Sequence, residues 1–229
     1  MAINWGAVDV FDISSIDMSP ATNYFVPVSS STSAKVDHNT AVGSTGDIIL
    51  TDDSNDMQEA SATYRWNAAT GLDAALAFLS VGMISDSIMV TSISLKTSGT
   101  GFPELEVQGH QHTEEAHVSG SAYAIPAGVM AACVGAFGAI DFMGNTLDGD
   151  TTCTEGSFTV AVNHVDVTDS ANDHFAGDGR GGNIAYSSSY TGKGVTFANG
   201  MLNQNLSVQT SADGFDTATA SAVQYIAAT

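Results

Sequence analysis

Basic side chains are scarce in this sequence. Only 5 of its 229 residues are Lys or Arg, against 25 Asp and Glu, which leaves a formal net charge of −20 at neutral pH. The cations are scattered over the whole chain, at Lys35, Arg65, Lys96, Arg180 and Lys193. Since each phosphate contact needs its own cation or amide donor, we expect no specific binding to nucleic acid and none to an anionic membrane.

Cysteine is scarcer still. Cys133 lies in an Ala- and Gly-rich apolar run, and Cys153 lies in a polar stretch. A single pair without a Cys-x-x-Cys motif excludes a disulfide framework and a cysteine zinc site. The sequence favours two packed free thiols and leaves open whether they pair.

Targeting and membrane signals are also missing. The opening residues MAINWGAVDVFDI have no basic region followed by a continuous apolar stretch, so we expect no signal peptide. The longest uncharged segment, 119–140, is dominated by Ala and Gly, contains Pro126 and has no flanking Lys or Arg. Such a segment is typical of close packing inside a protein, and we expect no membrane span.

The residues that are abundant favour β-structure. Hydrophobic residues make up 43% of the chain and charged residues only 13%, while Gly, Ser and Thr are frequent. We predict a mainly β fold, with a β-sandwich or barrel-like core, one or two short helices, a long hairpin and a flexible arm. We assign residues 1–229 to one β-rich domain, with a weak internal echo between 105–117 and 158–174 that indicates a possible duplication.

Several segments carry a defined local pattern. Leu72, Leu76 and Leu79 lie at helical spacing between Thr70, a capping residue, and Gly82, which predicts a helix over 70–81. Residues 88–97 and 102–112 alternate across a Ser-Gly-Thr-Gly turn and predict a hairpin. The Ser-rich run 29–33 is interpreted as a loop or arm. Further strands are expected at 4–18, 47–50, 157–167, 183–197, 202–210 and 217–226, and a short helix or strand pair after Pro126.

The most suggestive ligand cluster is His110, His112 and Glu114. Residues two apart on a strand share a face, so these three side chains could converge on one metal ion. The His-x-His spacing is short and common, and a polar hairpin tip or a subunit contact explains it better than a metal site. We therefore predict no metal and no cofactor.

Other short motifs fall short of a catalytic or binding signature. The acidic stretches 51–56 and 169–178 offer clustered oxygens, but neither follows the calcium-loop pattern. The run 177–182 (GDGRGG) lacks the Lys-Ser/Thr that ends a phosphate loop. No serine lies in a Gly-x-Ser-x-Gly elbow. We expect solvated loops at these places and no enzymatic activity.

The pattern as a whole resembles the tail tube (major tail) proteins of tailed phages. The Ser-rich run 29–33, the predicted helix 70–81, the hairpin 88–112 and the acidic balance carry this resemblance. It implies a β-sandwich core with a flanking helix and arms, and subunits that assemble into stacked rings around a DNA channel. The partners implied are further copies of the chain and other virion proteins, in a virion assembled in the host cytoplasm.

A DNA channel gives the acidic balance a physical purpose, because carboxylates repel phosphates. On this hypothesis some acidic side chains line the lumen. The candidates are Asp52, Asp53, Asp56, Glu104, Glu106, Glu114 and Glu115. The charge is also explained by solubility, whereas adaptation to high salt would call for a much higher fraction of acidic residues. Alternative functions are a secreted or surface β binding module of the adhesin or fibre kind, and a capsid decoration protein.

Overall fold

A computed structural model describes residues 9–13, 25–85, 88–112, 122–144, 152–168, 174–191, 202–212 and 214–226. The elements are β1 (Phe25–Val42), β2 (Ile48–Trp66), α1 (Leu72–Leu76), β3 (Ser80–Val81), β4 (Ile84–Ser85), β5 (Ile88–Ser98), β6 (Glu104–His112), β7 (Tyr123–Ala124), α2 (Ala127–Ala132), β8 (Thr152–Thr168), β9 (His174–Thr191), β10 (Leu202–Gln209) and β11 (Thr217–Ile226).

One large antiparallel sheet dominates the fold. It has nine strands in the order β1-β2-β6-β5-β8-β9-β11-β10, with the short β4 paired to β5. The strands β3 and β7 form a separate two-stranded sheet. The predicted fold class is therefore confirmed: the protein is mainly β with two short helices, consistent with a β-sandwich or barrel-like core.

The large sheet has two chemically different faces, because alternate residues of a strand point to opposite sides. On one face lie buried apolar side chains from every central strand. They include Tyr64, Trp66, Ile93, Leu95, Leu105, Val107, Phe158, Val160, Ile184, Tyr186, Ala218 and Ala220. The intervening residues are mostly Ser, Thr, Glu and Asn and face away from this core. We call the two sides the apolar face and the polar face.

A layer of helices and connecting segments packs with the apolar face in one core cluster. Leu72 and Leu76 of α1, Val129 of α2 and Phe142 are buried in this cluster. The ring of Phe142 contacts that of Phe158 on β8 edge to face, with centroids 5.1 Å apart. Burial of these large side chains supplies the main driving force for folding.

The covering layer is also attached through hydrogen bonds to the sheet. Ile140 N donates to Thr97 Oγ1 over 2.9 Å, and this buried hydroxyl in turn donates to Gly156 O. A Cβ at Gly156 would collide with the Ile140 carbonyl. Glycine at this position therefore allows the covering segment to approach the backbone of β8.

Two buried tyrosines of the sheet also form hydrogen bonds to segments of the covering layer. Tyr64 Oη donates to Asp9 Oδ1 over 2.5 Å, and Tyr190 Oη donates to Asp141 Oδ1 over 2.6 Å. Each aspartate oxygen also accepts a nearby backbone N–H, from Ile13 in one case and from Met143 in the other. Burial, followed by the hydrogen bond to Asp9, raises the pKa of Tyr64 above its usual range.

Several local predictions are confirmed. The hairpin 88–112 is present as β5 and β6, residues 157–167 lie within β8, and the strand predicted over 217–226 is β11. The helix option after Pro126 is the one adopted, as α2. Within the described residues no helix combines the length and the apolar character needed to cross a bilayer.

Other local predictions are wrong. The helix predicted over 70–81 ends at Leu76, because the chain turns at Ala77 and continues into β3. Residues 29–33 are part of strand β1, where their small side chains alternate between the two faces. The expected strand over 4–18 is a turn in its described part, residues 9–13.

Two of the expected loops are also strands. The acidic run 51–56 lies within β2, where it pairs with β1, and residues 174–182 with their glycines lie in β9. Backbone pairing within two long hairpins outweighs the turn preferences of Asp and Gly at these places. Residues 145–150, 169–173 and 192–197, for which turns, loops or strands were expected, lie outside the described part.

The tyrosine–aspartate contacts lead to a stability prediction. Tyr190→Phe removes the donor to Asp141 while it keeps the buried ring, so we expect the free energy of unfolding to fall by about 1–3 kcal/mol. Urea denaturation followed by circular dichroism measures this change. The matched control is Tyr225→Phe, since Tyr225 is exposed. Equal stability of the two variants would show that the contact adds nothing.

Candidate functional site

The polar face of the sheet is an extended surface of polar side chains. Cross-strand neighbours on this face form rows that continue from strand to strand. One row consists of Arg65, Glu104, Lys96, Ser157, Ser187, Ser221 and Asn205. A second row consists of Ser98, Glu155, Ser189, Thr219 and Ser207.

Hydroxyl groups connect adjacent strands along this face. Ser157 Oγ is hydrogen-bonded to Ser187 Oγ, and Thr159 Oγ1 donates to Ser94 Oγ over 3.0 Å. Such contacts hold the side chains in place without adding charge. The result is a broad, hydrated surface of small neutral groups on five strands.

The charges of the polar face lie mainly on β2, β5 and β6, with Lys35 of β1 and Glu155 of β8 in addition. Arg65 Nη2 lies 2.9 Å from Glu104 Oε1, and Lys96 Nζ lies 3.8 Å from Glu106 Oε2. All four side chains are substantially exposed, so each pair adds little to stability. Both cations are nevertheless held beside a carboxylate, which lowers their attraction for an anion that approaches this face.

A depression of about 700 Å³ lies on the polar face beside these ion pairs. Its lining combines Arg65, Lys96, Glu104 and Glu155 with the serines of β8 and β9 and the ring of Phe102. The ring of Phe102 also contacts that of Phe137, with centroids 5.6 Å apart. This surface could accept a ligand, but it contains no catalytic constellation.

The acidic residues proposed to line a lumen do not form one group. Glu104 and Glu106 lie on the polar face, each in an ion pair. Asp52, Asp53 and Asp56 lie in β2, in the part of the β1–β2 hairpin that extends past the end of β6. Glu114 and Glu115 lie outside the described residues.

The candidate metal ligands are only partly described. His110 is buried near the end of β6, in a small depression that also contains Met57 and Glu59. His112 is the last residue of β6, and Glu114 falls outside the described part. Among the described residues, no three His, Cys, Asp or Glu side chains are grouped in a way that could hold a metal ion.

The two edges of the sheet form a second feature that the sequence did not indicate. Strand β1 lies at one edge and β10 at the other, and within the described residues no strand pairs with their outer sides. Leu206 and Val208 of β10 are 52% and 57% exposed. Large apolar side chains on an unpaired strand edge are typical of a surface that another strand covers.

The far end of the β1–β2 hairpin also carries exposed apolar side chains. We call residues 37–56, which pair with each other but not with β6, the distal hairpin. Ile48, Ile49 and Leu50 of this hairpin are all exposed. An isolated two-stranded ribbon is at best marginally stable in water, so a partner surface would stabilise it. Among the described residues the distal hairpin extends past the last β2–β6 pair, whereas the Ser-rich run 29–33, interpreted above as a loop or arm, is paired with β2.

Both cysteines are free thiols. Burial, with a smaller effect of the Asp73 charge, raises the pKa of Cys133 to about 12. Burial and the Asp141 charge raise the pKa of Cys153 to about 11, although a backbone hydrogen bond to Glu155 acts in the opposite direction. Both thiols are therefore protonated at neutral pH and are poor nucleophiles.

No protein-family model matches this chain, and no curated protein matches its sequence.

The cysteine environments lead to a reactivity prediction. A pKa of about 11 leaves Cys153 with far less thiolate at pH 8 than an ordinary cysteine. We expect the native protein to react with a thiol reagent at least tenfold more slowly than the protein in denaturant, where both thiols should react fully. Cys153→Ser should remove one of the two titrated thiols. Rapid native labelling would contradict the described burial.

Proposed function

We propose that this protein is a virion structural subunit of the tail tube kind, which assembles with copies of itself into rings around a channel. The polar face of the sheet carries this proposal. In a ring, that face would line the channel, while the covering layer would lie outside it. The free edges and the distal hairpin would provide contacts between copies.

The chemistry of the polar face fits a channel through which DNA slides. A lining with many exposed cations would bind phosphates and slow the DNA. Here Arg65 and Lys96 are each paired with a glutamate, and much of the remaining face is hydroxyl and amide. The net charge of −20 adds a long-range repulsion that keeps DNA away from the wall.

A second candidate function is a surface β binding module, which the depression beside Phe102 favours. An aromatic ring, hydroxyl groups and ion-paired polar side chains together suit a neutral polyhydroxylated ligand such as a saccharide. The two functions differ in their need for assembly. A binding module would act as a monomer, whereas a tube subunit would not.

Assembly state is therefore the first test. We expect negative-stain microscopy of the purified protein to show rings or tubes, and sedimentation velocity to show species much heavier than the 23.5 kDa monomer. A monomer that persists at high concentration, over a range of salt and pH, would contradict the tube proposal and favour the binding module.

The ion pairs of the polar face lead to a second test. Glu104→Gln together with Glu106→Gln leaves Arg65 and Lys96 without their carboxylate partners. We expect rings to form as before but to retain short double-stranded DNA in co-sedimentation at low salt, where the native protein retains little. The reason is that the two released cations become available to phosphates.

The matched control for this experiment is Glu59→Gln together with Glu155→Gln. It changes the net charge by the same amount on the same face, but these two residues form no ion pair within the described structure. It should therefore retain much less DNA. Equal retention by the two double variants would show that total charge, and not the pairing of Arg65 and Lys96, governs passage.

A further inference from the structure

The large sheet contains the same four-strand arrangement twice. The first module is β1-β2-β6-β5, and the second module is β8-β9-β11-β10, in the order in which the strands lie in the sheet. In each module a long hairpin is followed along the chain by a shorter one. The second strands of the two hairpins then pair with each other, as β2 with β6 and β9 with β11.

The strand registers of the two modules also correspond. In the first module Tyr64 pairs with Leu105 and Ala60 with Gly109. In the second, Tyr190 pairs with Ala218 and Tyr186 with Ala222. Tyr64 and Tyr190 thus occupy the same place, and each donates a hydrogen bond to an aspartate of the covering layer.

Irregularities in the strands occur at corresponding positions. The register of β1 shifts between Pro27 and Ser29, opposite Tyr64, and that of β8 shifts between Cys153 and Glu155, opposite Tyr190.

The shorter hairpins agree in the same way. The register of β5 shifts between Val90 and Ser92, and that of β10 between Asn203 and Asn205. In the first module this shift lies opposite Gly109, which pairs with Ala60. In the second it lies opposite Ala222, which pairs with Tyr186, the counterpart of Ala60. A bulge is a specific local feature, so its repetition at two corresponding places indicates one module used twice.

A short sequence repeat accompanies the structural one. Asp9 ends the sequence Gly-Ala-Val-Asp, and Asp141 ends the sequence Gly-Ala-Ile-Asp. The echo between 105–117 and 158–174 is a different one. It compares β6 with β8, which occupy different places in the two modules.

The junction between the two modules is visible within the chain. In the order of the sheet, β5 is the last strand of the first module and β8 is the first strand of the second. These two strands pair antiparallel. In this junction Ile93 lies opposite Val160 and Leu95 opposite Phe158, and all four side chains are fully buried.

The strands at the two outer edges of the sheet correspond to the two strands that form this junction, but within the described residues their outer sides are unpaired. Strand β10 corresponds to β5, and β1 corresponds to β8. By register, Leu206 and Val208 are the counterparts of Ile93 and Leu95. Ile93 and Leu95 are 0% exposed, whereas Leu206 and Val208 are 52% and 57% exposed. The second module therefore ends in apolar side chains that the first module buries at the same place.

We propose that β10 of one copy pairs antiparallel with β1 of the next copy, in the register of the β5–β8 junction. Leu206 then lies opposite Ala34 of the next copy, Ser207 opposite Ser33, and Val208 opposite Thr32. This inference rests on the proposed self-assembly and specifies which surfaces carry it. The partner is a second copy of this chain.

The charge distribution fits this pairing. Although the chain has 25 acidic residues, β10 and residues 25–34 of β1 have no charged side chain at all. Natural edge strands avoid pairing through charges, prolines and bulges. In the paired segments, the charged residue is Lys35, which lies opposite the neutral Asn205. No two like charges would face each other across the junction.

The geometry of the contact has a consequence for the assembly. The contact joins two different edges, so it is head to tail, and repetition gives a closed ring or an open filament. On the polar face Ser207 continues to Ser33 of the next copy, and Gln209 to Ser31. The hydroxyl rows thus pass from copy to copy without interruption.

Cysteine cross-linking tests the register directly. The variant Ser207→Cys with Ser33→Cys, in a Cys153→Ser background, places two thiols opposite each other across the junction. We expect mild oxidation to convert most of the protein into covalent multimers on non-reducing gels. The control, Ser207→Cys with Ser29→Cys, is displaced by four residues, about 13 Å, and should give few multimers. Each single-cysteine variant should give at most dimers.

A second variant tests the edge without new thiols. Val208→Asp places a charge in the junction but on an exposed side chain of the isolated chain, so the subunit should keep its melting temperature and lose its assembly. Val134→Asp makes the same change at an exposed apolar side chain just after α2, outside the sheet, and is the control that should keep its assembly. Assembly of Val208→Asp at the native level would overturn the proposed pairing.

The results separate the two proposals. Rings that form without the Ser207–Ser33 cross-link, or with more cross-linking in the displaced control, overturn the pairing and leave the tube subunit proposal in place. Covalent multimers with the expected register but no ring or tube in the microscope support the pairing and contradict the tube. A protein that remains monomeric in every experiment overturns both.

Discussion

The strict separation of an apolar and a polar face across the large sheet is the constraint on which the rest of the structure depends. A register slip of one residue in any strand would place Ser and Glu in the core and Leu and Val in water. The bulges of β1, β5 and β8 correct the register within single strands, so that the faces stay aligned from β2 to β11. The covering layer then has one continuous surface on which to pack, and the tyrosine–aspartate contacts fix it there.

This constraint explains which parts of the fold were predictable from the sequence. The strands β5, β6 and β11 alternate between buried and less buried residues over much of their length, and their predicted boundaries lie within two residues of the observed ones. The run 29–33 could not, because a strand at a sheet edge with small side chains on both faces has no apolar period. The helix at 72 was overextended because Leu79 belongs to the same core although it lies beyond the helical turn.

The candidate site was less accessible to sequence reasoning than the fold. Glu104 and Glu106 were correctly placed on one strand, but their partners Arg65 and Lys96 come from other strands and depend on the pairing of β6 with β2 and β5. The two modules were hidden for a similar reason. Their likeness is in strand order, register and bulges, while the side chains have diverged except for the tyrosines and the two Gly-Ala-x-Asp sequences.

The ion pairs also change how the excess of acidic residues over basic ones is interpreted. A channel formed by the polar face would not be a dense wall of carboxylates, since two of its glutamates are occupied by cations and its rows are mainly hydroxyl. The wall would be nearly neutral at short range and repulsive at long range, because the remaining acids are spread over the chain. Such a surface would neither bind phosphates tightly nor crowd many like charges together, and a passage for DNA requires both properties.

A chain with two modules has a thermodynamic advantage in building a continuous sheet. Every association between separate molecules costs translational and rotational freedom. In this protein one junction of each pair, between β5 and β8, forms during folding and carries no such cost. In the proposed assembly only the junction between β10 and β1 would form by association, so a ring with a given number of modules would need half as many binding events. The segments proposed to pair fit this division, because Lys35 is their one charged residue and no like charges would face each other across the intermolecular junction.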